Sequence, residues 1–215
     1  MTPTTGKLKG FDTVAVFLLS ASLCLASVAY SAPLSQQQLK NAQALADAVD
    51  WAQQNYQRTS HPLHVQTLSI EVQEQKEAQP ARLARVYQYH YDLQLARVLV
   101  VDPDSKDVVS EQTIASIHLP LNRSEIDLAA KLLASHQAIT ETLQKEQLQR
   151  GDVAFETLQE LEMKASIYEP TDSEHPCSRQ RCALLSLFDS TRTVFAAEPV
   201  VFLQSLHVEL LRSPR

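Results

Sequence analysis

Ser116-Ile117-His118-Leu119-Pro120-Leu121 and Ser205-Leu206-His207-Val208-Glu209-Leu210 share one rhythm, with Ser, His and a closing Leu in equivalent places. Upstream of each, an apolar run closes on an aspartate: Leu99-Val100-Val101-Asp102 in the first, Leu187-Phe188-Asp189 in the second. Each aspartate leads into a short polar turn and a second strand-like run. Read outward from these stretches, the chain is two tandem copies of a small helix-plus-hairpin unit. A Ser and a His two apart share one face of a strand, while Ile117 with Leu119, or Leu206 with Val208, takes the other. The pairing predicts two pseudo-repeats in which His118 and His207 lie toward solvent or the junction of the two units and are structural.

The elements around these stretches follow from period and punctuation. Ser35 with Gln38 three residues on forms a capping box. Leu39, Ala42, Ala46, Val49, Ala52 and Tyr56 then fall on one helical face. Thr59-Ser60-His61-Pro62 closes that helix. Leu68, Ile70 and Val72 alternate with Ser69 and Glu71 in a strand, and 73–80 reads as a loop. Over 82–101 the period is two, with Val86, Gln88 and His90 on one side and Tyr87, Tyr89 and Tyr91 on the other. Pro103-Asp104-Ser105 supplies turn chemistry, and 108–119 is the return strand. Asn122 or Ser124 starts a second helix, with Glu125 or Asp127 in the capping role. Its apolar stripe runs Ile126, Ala129, Ala130, Leu133, Ile139 and Leu143, and Gly151 breaks it. Leu161, Met163, Ala165 and Ile167 alternate as a half-buried strand. Strands over 181–189 and 193–210 complete the second copy, with a break at Glu198-Pro199. The fold class is α+β: two tandem units, each a helix on a three-stranded antiparallel sheet, the first over 33–121 and the second over 122–215.

The N-terminus carries an export signal. Lys7 and Lys9 precede a mainly apolar run from Phe11 to Ala29, which meets Ser27, Ala29, Ser31 and Ala32 before Pro33. That is the layout of a cleaved secretory signal over 1–31. The run is short for a membrane span of about 20 residues, and Asp12 interrupts it. No twin arginine precedes it, so a Sec-type route to the periplasm or medium is expected, with no membrane span after cleavage. Cys24 leaves with the signal. Cys177 and Cys182 remain, and an even pair in an oxidising compartment reads as a disulfide. A metal or redox pair would need other ligands or a tighter spacing.

The formal net charge is −6, which excludes the basic footprint of a nucleic-acid binder. With three glycines in the chain there is no glycine-rich phosphate loop.

His118-Leu119-Pro120-Leu121 leading into Ser124-Glu125-Ile126, then Phe155, an alternating strand, Glu169-Pro170, and a hairpin over 183–189 and 200–210, resembles one of the small N-terminal domains of copper amine oxidases. The resemblance covers about half of the chain beyond the signal, with a fainter echo in the first half. It implies a cystatin-like helix-plus-sheet shape. In that family these domains are accessory, and the chemistry sits in a large separate domain. The catalytic parts do not appear here. Asn55-Tyr56 is followed by Gln57 rather than an acid, and there is no His-x-His pair for copper.

Candidate chemistry is sparse. His61 and His64, with His90 on a nearby strand, are potential metal ligands. Histidines beside Pro62 at a helix-to-strand loop more often cap or face solvent, and a site needs three or four converging ligands. The expectation is therefore no metal and no cofactor. Tyr87, Tyr89 and Tyr91 form a row that is either a core stripe or an aromatic contact surface for a partner. Arg179 and Arg181 beside the cysteine loop can meet an anionic partner or pair with Glu169 and Asp172. Glu160 and Glu162 read as exposed strand carboxylates. No Gly-x-Ser-x-Gly elbow is present, so no Ser-His-Asp set and no catalytic residue is assigned. The expected function is an exported, non-catalytic binding or accessory module of the cell envelope with a protein partner. The alternative is a small envelope enzyme, or a subunit associated with an amine oxidase-type oxidoreductase.

Overall fold

Helix α1 (Gln36–Ala48) opens on the expected box: the Ser35 hydroxyl accepts from the Gln38 amide at 3.2 Å and Gln38 Oε1 accepts from the Ser35 amide at 3.0 Å. The computed structural model describes residues 33–51, 61–73, 82–114 and 118–211. The segment 1–31, read above as an export signal, lies outside the described residues, as do Ala52, Tyr56 and Ser116. After α1 come β1 (Val65–Val72), β2 (Ala84–His90), β3 (Leu95–Asp102) and β4 (Asp107–Ile114). Helices α2 (Arg123–Ala134) and α3 (Gln137–Gln149) follow, then β5 (Glu162–Ile167), β6 (Cys182–Phe188), β7 (Glu198–Phe202) and β8 (His207–Leu211). The fold is α+β, built on two antiparallel sheets ordered β1-β2-β3-β4 and β5-β6-β7-β8.

Each sheet has four strands, not three. The run over 82–101 divides at Tyr91-Asp92-Leu93-Gln94, where Gln94 takes φ 54°. His90 pairs with Leu95 across this turn, so inward and outward positions keep their parity through it. An uninterrupted alternation therefore conceals a hairpin that has neither glycine nor proline. The 193–210 run hides a second one at Leu203-Gln204-Ser205-Leu206, with Leu206 at φ 57°.

The single long second helix is also two helices. The chain breaks at Ser135-His136, where the Ser135 hydroxyl donates to the Leu132 carbonyl at 2.8 Å. Ala129, Leu133, Ile139 and Leu143 all still enter one core, which is why the stripe reads as continuous. The cap at the start of α2 is Asn122 with Glu125.

The pseudo-repeat exists in the topology but not in the register that the Ser-x-His stretches suggest. The strand after Asp102 is fourth in its sheet, whereas the strand after Asp189 is third in its own. His118 lies in the non-regular segment before α2, and His207 begins β8. The equivalent connections are Pro103-Asp104-Ser105-Lys106 and Leu203-Gln204-Ser205-Leu206. Each joins the third strand to the fourth, and each ends on a left-handed residue, φ 64° at Lys106 and 57° at Leu206.

The described residues form one compact unit. On one face of the first sheet, Ala42 and Ala46 of α1 pack on Ala84, Val86, Leu99 and Val101. On the other face Tyr89, Tyr91 and Ala96 enter the central core with Ala129, Leu133, Leu185 and Leu203, so both halves contribute to it. Tyr89 and Tyr91 are 2% and 0% exposed. That burial removes them from any partner surface and leaves Tyr87 alone half-buried. A third cluster holds Cys177, Cys182, Val200 and Phe202, with the two cysteines joined as expected. Among the described residues no helix is long and apolar enough to cross a membrane.

Candidate functional site

Arg97 explains why α1 stops early and how one end of the first sheet is organised. Its side chain is buried on the α1 face, opposite Gln88. Nη2 donates to the carbonyls of Ala46 at 3.0 Å and Val49 at 2.8 Å, and Nη1 to that of Asp50 at 3.3 Å. These acceptors lie at the end of the helix and just beyond it, and the Ala46 carbonyl also accepts from the Val49 amide at 3.4 Å. The helix read on to Tyr56 therefore closes at Ala48. The guanidinium also lies 4.1 Å from the centre of the Trp51 ring, and Gln88 Oε1 accepts from its Nε and Nη2 at 3.0 and 2.8 Å. Burial pulls the Arg97 pKa down against the opposing pull of Glu111, Asp47 and Asp50.

Beside this cap lies a cluster of three potential ligands. His90 ends β2, Asp92 sits in the turn that follows, and His64 sits on the approach to β1. His64 Nδ1 is 2.7 Å from Asp92 Oδ2, and His90 Nδ1 is 3.9 Å from the same oxygen. One ligand atom from each residue lies within 4.8 Å of the other two. The His64 backbone is left-handed, φ 43°, an uncommon state for a residue with a Cβ. It is held there by two hydrogen bonds: the His64 amide donates to His61 O at 3.1 Å, and Tyr91 N donates to His64 O at 2.8 Å. Trp51 meets the His90 ring edge-on at 5.1 Å. The side chains of Asp92 and His90 are 1% and 5% exposed, while that of His64 is 43% exposed.

Burial acts on both inner groups of the cluster, in each case favouring the uncharged form. Burial, reinforced by the charges of His64 and Arg97, holds His90 down to about 4, so its imidazole is neutral at physiological pH. Burial pushes the Asp92 carboxyl upward. His61, the third histidine singled out in the sequence, goes elsewhere. Its Nε2 is 2.8 Å from the Leu203 carbonyl and its ring lies flat on Tyr91, 4.7 Å between centres. Asp92 was missed because it reads as the middle of a strand; its one signal is being the only turn-former in Tyr-Asp-Leu-Gln.

The second buried polar group is the junction of the halves. Glu125 Oε1 accepts from the Tyr91 hydroxyl and from Arg181 Nε at 2.7 Å; its Oε2 accepts from Arg181 Nη2 at 3.1 Å and the Asn122 amide at 2.8 Å. Arg181 Nη2 also donates to the carbonyls of Leu119 and Pro120 at 3.2 and 3.3 Å. Every member is satisfied within the fold, so Arg181 does not offer itself to an anionic partner. Burial acts to lower its pKa, but the hydrogen bonds and charge of Glu125 outweigh this and raise it. Arg179 is exposed and lines a cleft with Glu174, Gln180 and Gln204.

The remaining candidates are peripheral. His118 Nδ1 is 3.1 Å from exposed Glu169. Ser205 Oγ is 2.9 Å from His207 Nδ1, and His207 Nε2 is 3.0 Å from Glu209. Ser205 in the turn and His207 and Glu209 at the start of β8 are all exposed, so water competes for the hydroxyl, and His207 stacks on Phe202 at 4.1 Å. Glu160 accepts from the Thr157 amide at 2.7 Å as a cap, and exposed Glu162 lies 3.6 Å from Lys164. No protein-family model matches the chain, and no curated protein matches it.

Proposed function

We propose that this protein is an exported, non-catalytic interaction module of the cell envelope that docks an extended segment of a partner protein along β4. One observation carries the reading. β4 is an eight-residue edge strand whose first seven residues are all exposed, so neither of its faces is covered there. It also presents two of the large exposed apolar side chains, Val108 at 41% and Val109 at 56%. Folded proteins usually blunt such an edge, and a long open one is a template for strand addition. Main-chain hydrogen bonds would supply the affinity, and alternate side chains the specificity. The resemblance to accessory domains of copper amine oxidases makes an oxidoreductase of that type the first partner to test.

A photo-crosslinking residue at Gln112, with the protein recovered from the exported fraction, tests this. A discrete adduct is expected from Gln112 and not from Glu162 on β5, and Val108→Lys with Val109→Lys should abolish it while leaving the circular dichroism unchanged. No adduct at Gln112, or an equal one from Glu162, refutes docking along β4. Recovery only from the cytoplasm refutes the envelope assignment.

A further inference from the structure

We propose that His64, His90 and Asp92 bind a divalent transition metal ion of the zinc class. The reading is independent of docking along β4. Two imidazoles and one carboxylate are the donor set of zinc and its neighbours, not of magnesium or calcium, which take oxygen. Ligand atoms bonded to zinc at about 2.0–2.1 Å in a tetrahedron stand roughly 3.3 Å apart. The two separations to Asp92 Oδ2, 2.7 and 3.9 Å, straddle that value. All three ligand atoms lie within 4.8 Å of one another, so the side chains must draw together around the ion.

Two of the donors are preorganised in the buried end of the sheet. The third, His64, is on the surface side, so the ion enters and leaves past a half-exposed ring. Three protein ligands leave a fourth position for water or for a donor from another molecule, the pattern of open rather than closed zinc sites. The His64 backbone supports the assignment. A left-handed conformation at a residue with a Cβ is uncommon, and here it turns the imidazole onto Asp92. Arg97 is the opposing charge nearby, but its guanidinium is taken up by the carbonyls of α1, Gln88 and the Trp51 ring.

Trp51 supplies the readout, because it is the only tryptophan in the chain and its ring touches His90. The protein, stripped with a chelator, is titrated with cobalt(II) and then with zinc sulfate. Cobalt should saturate at one equivalent, quench Trp51 and develop visible absorption; zinc should displace it and restore the fluorescence. Loss of an outer-shell partner alone weakens a metal site about 10- to 100-fold, so His64→Ala should weaken zinc binding at least about tenfold. Its side chain is half outside, so the fold should survive, and circular dichroism checks this. Asp92→Asn should act in the same direction. His118→Ala and His207→Ala should leave the affinity unchanged. Absence of saturable binding overturns the proposal. So does binding that leaves Trp51 unquenched, or an affinity indifferent to His64→Ala in a folded variant.

Discussion

Glu125→Ala should be the most damaging single exchange outside the apolar core. The Glu125 side chain is fully buried and that of Arg181 is 3% exposed. Removing the carboxylate leaves the guanidinium buried without its counter-charge, beside the carbonyls of Leu119 and Pro120, and deprives the Tyr91 hydroxyl of its carboxylate acceptor. Breaking a buried ion pair from one side costs about 3–5 kcal/mol. The same exchange removes half of the α2 capping box, worth about 1 kcal/mol. The expected loss is therefore about 4–6 kcal/mol, a large share of a domain's total stability. The exposed pair of Arg123 with Asp127, 86% and 59% exposed, provides the contrast; Arg123→Ala should cost no more than about 0.5 kcal/mol. The double variant Glu125→Leu with Arg181→Met should be less destabilised than Glu125→Ala, because no uncompensated charge remains. Urea titrations followed by circular dichroism and by Trp51 emission measure all of these. A loss below about 1.5 kcal/mol for Glu125→Ala, or a double variant as unstable as the single one, would refute the reasoning.

Three further outcomes follow from the same structure. Converting Cys177 and Cys182 to Ala should cost about 2 kcal/mol on the loop-entropy model, since the closed loop is short; alkylation of the unreduced parent protein should find neither thiol, and two reactive thiols would dispose of the bond. Asp189, held below the usual carboxylate range by the Thr191 hydroxyl, the Thr193 and Thr191 amides and Arg150, has a folded pKa below its unfolded one. Its contribution to stability is complete above the unfolded value and is lost as pH falls below about 4 toward the folded value. Asp102, lowered by the Ser105 and Asp104 amides, acts in the same direction. The urea midpoint should drop across that interval, and Asp189→Asn should flatten part of the fall; an unchanged profile in the variant would exclude this source. Lys106→Gly, at φ 64° in an exposed turn, should be neutral or stabilising by up to about 1 kcal/mol; a clear destabilisation would deny the left-handed turn.

How much of this fold was legible depends on the range of each signal. Local chemistry reads well. The Ser35–Gln38 box, one of the two proposed caps of α2 and the alternation of Met163, Ala165 and Ile167 are all in place. What is lost are the breaks whose cause lies far along the chain. Nothing near Val49 announces the end of α1, because the group that takes its last carbonyls is Arg97, about fifty residues on. The metal-type cluster fails for the same reason. His64 and His90 are visible as residue types, but Asp92 joins them only once the turn is known, and that turn contains neither glycine nor proline.

The false register of the repeat shows which signal carries equivalence in such a fold. Ser-x-His recurs because short polar-apolar alternations are common at strand ends, and it pairs a segment leading into a helix with the start of an edge strand. The turns of 103–106 and 203–206 share little sequence beyond Ser105 and Ser205. Yet both follow a pair of valines, both reverse the chain in four residues, and both place their left-handed residue last. A hairpin's geometry limits backbone dihedrals at one or two positions and leaves the side chains nearly unconstrained. Lys and Leu can therefore fill a place that glycine would have marked openly. In a chain with three glycines, turn positions must be found from the pairing of the strands they join.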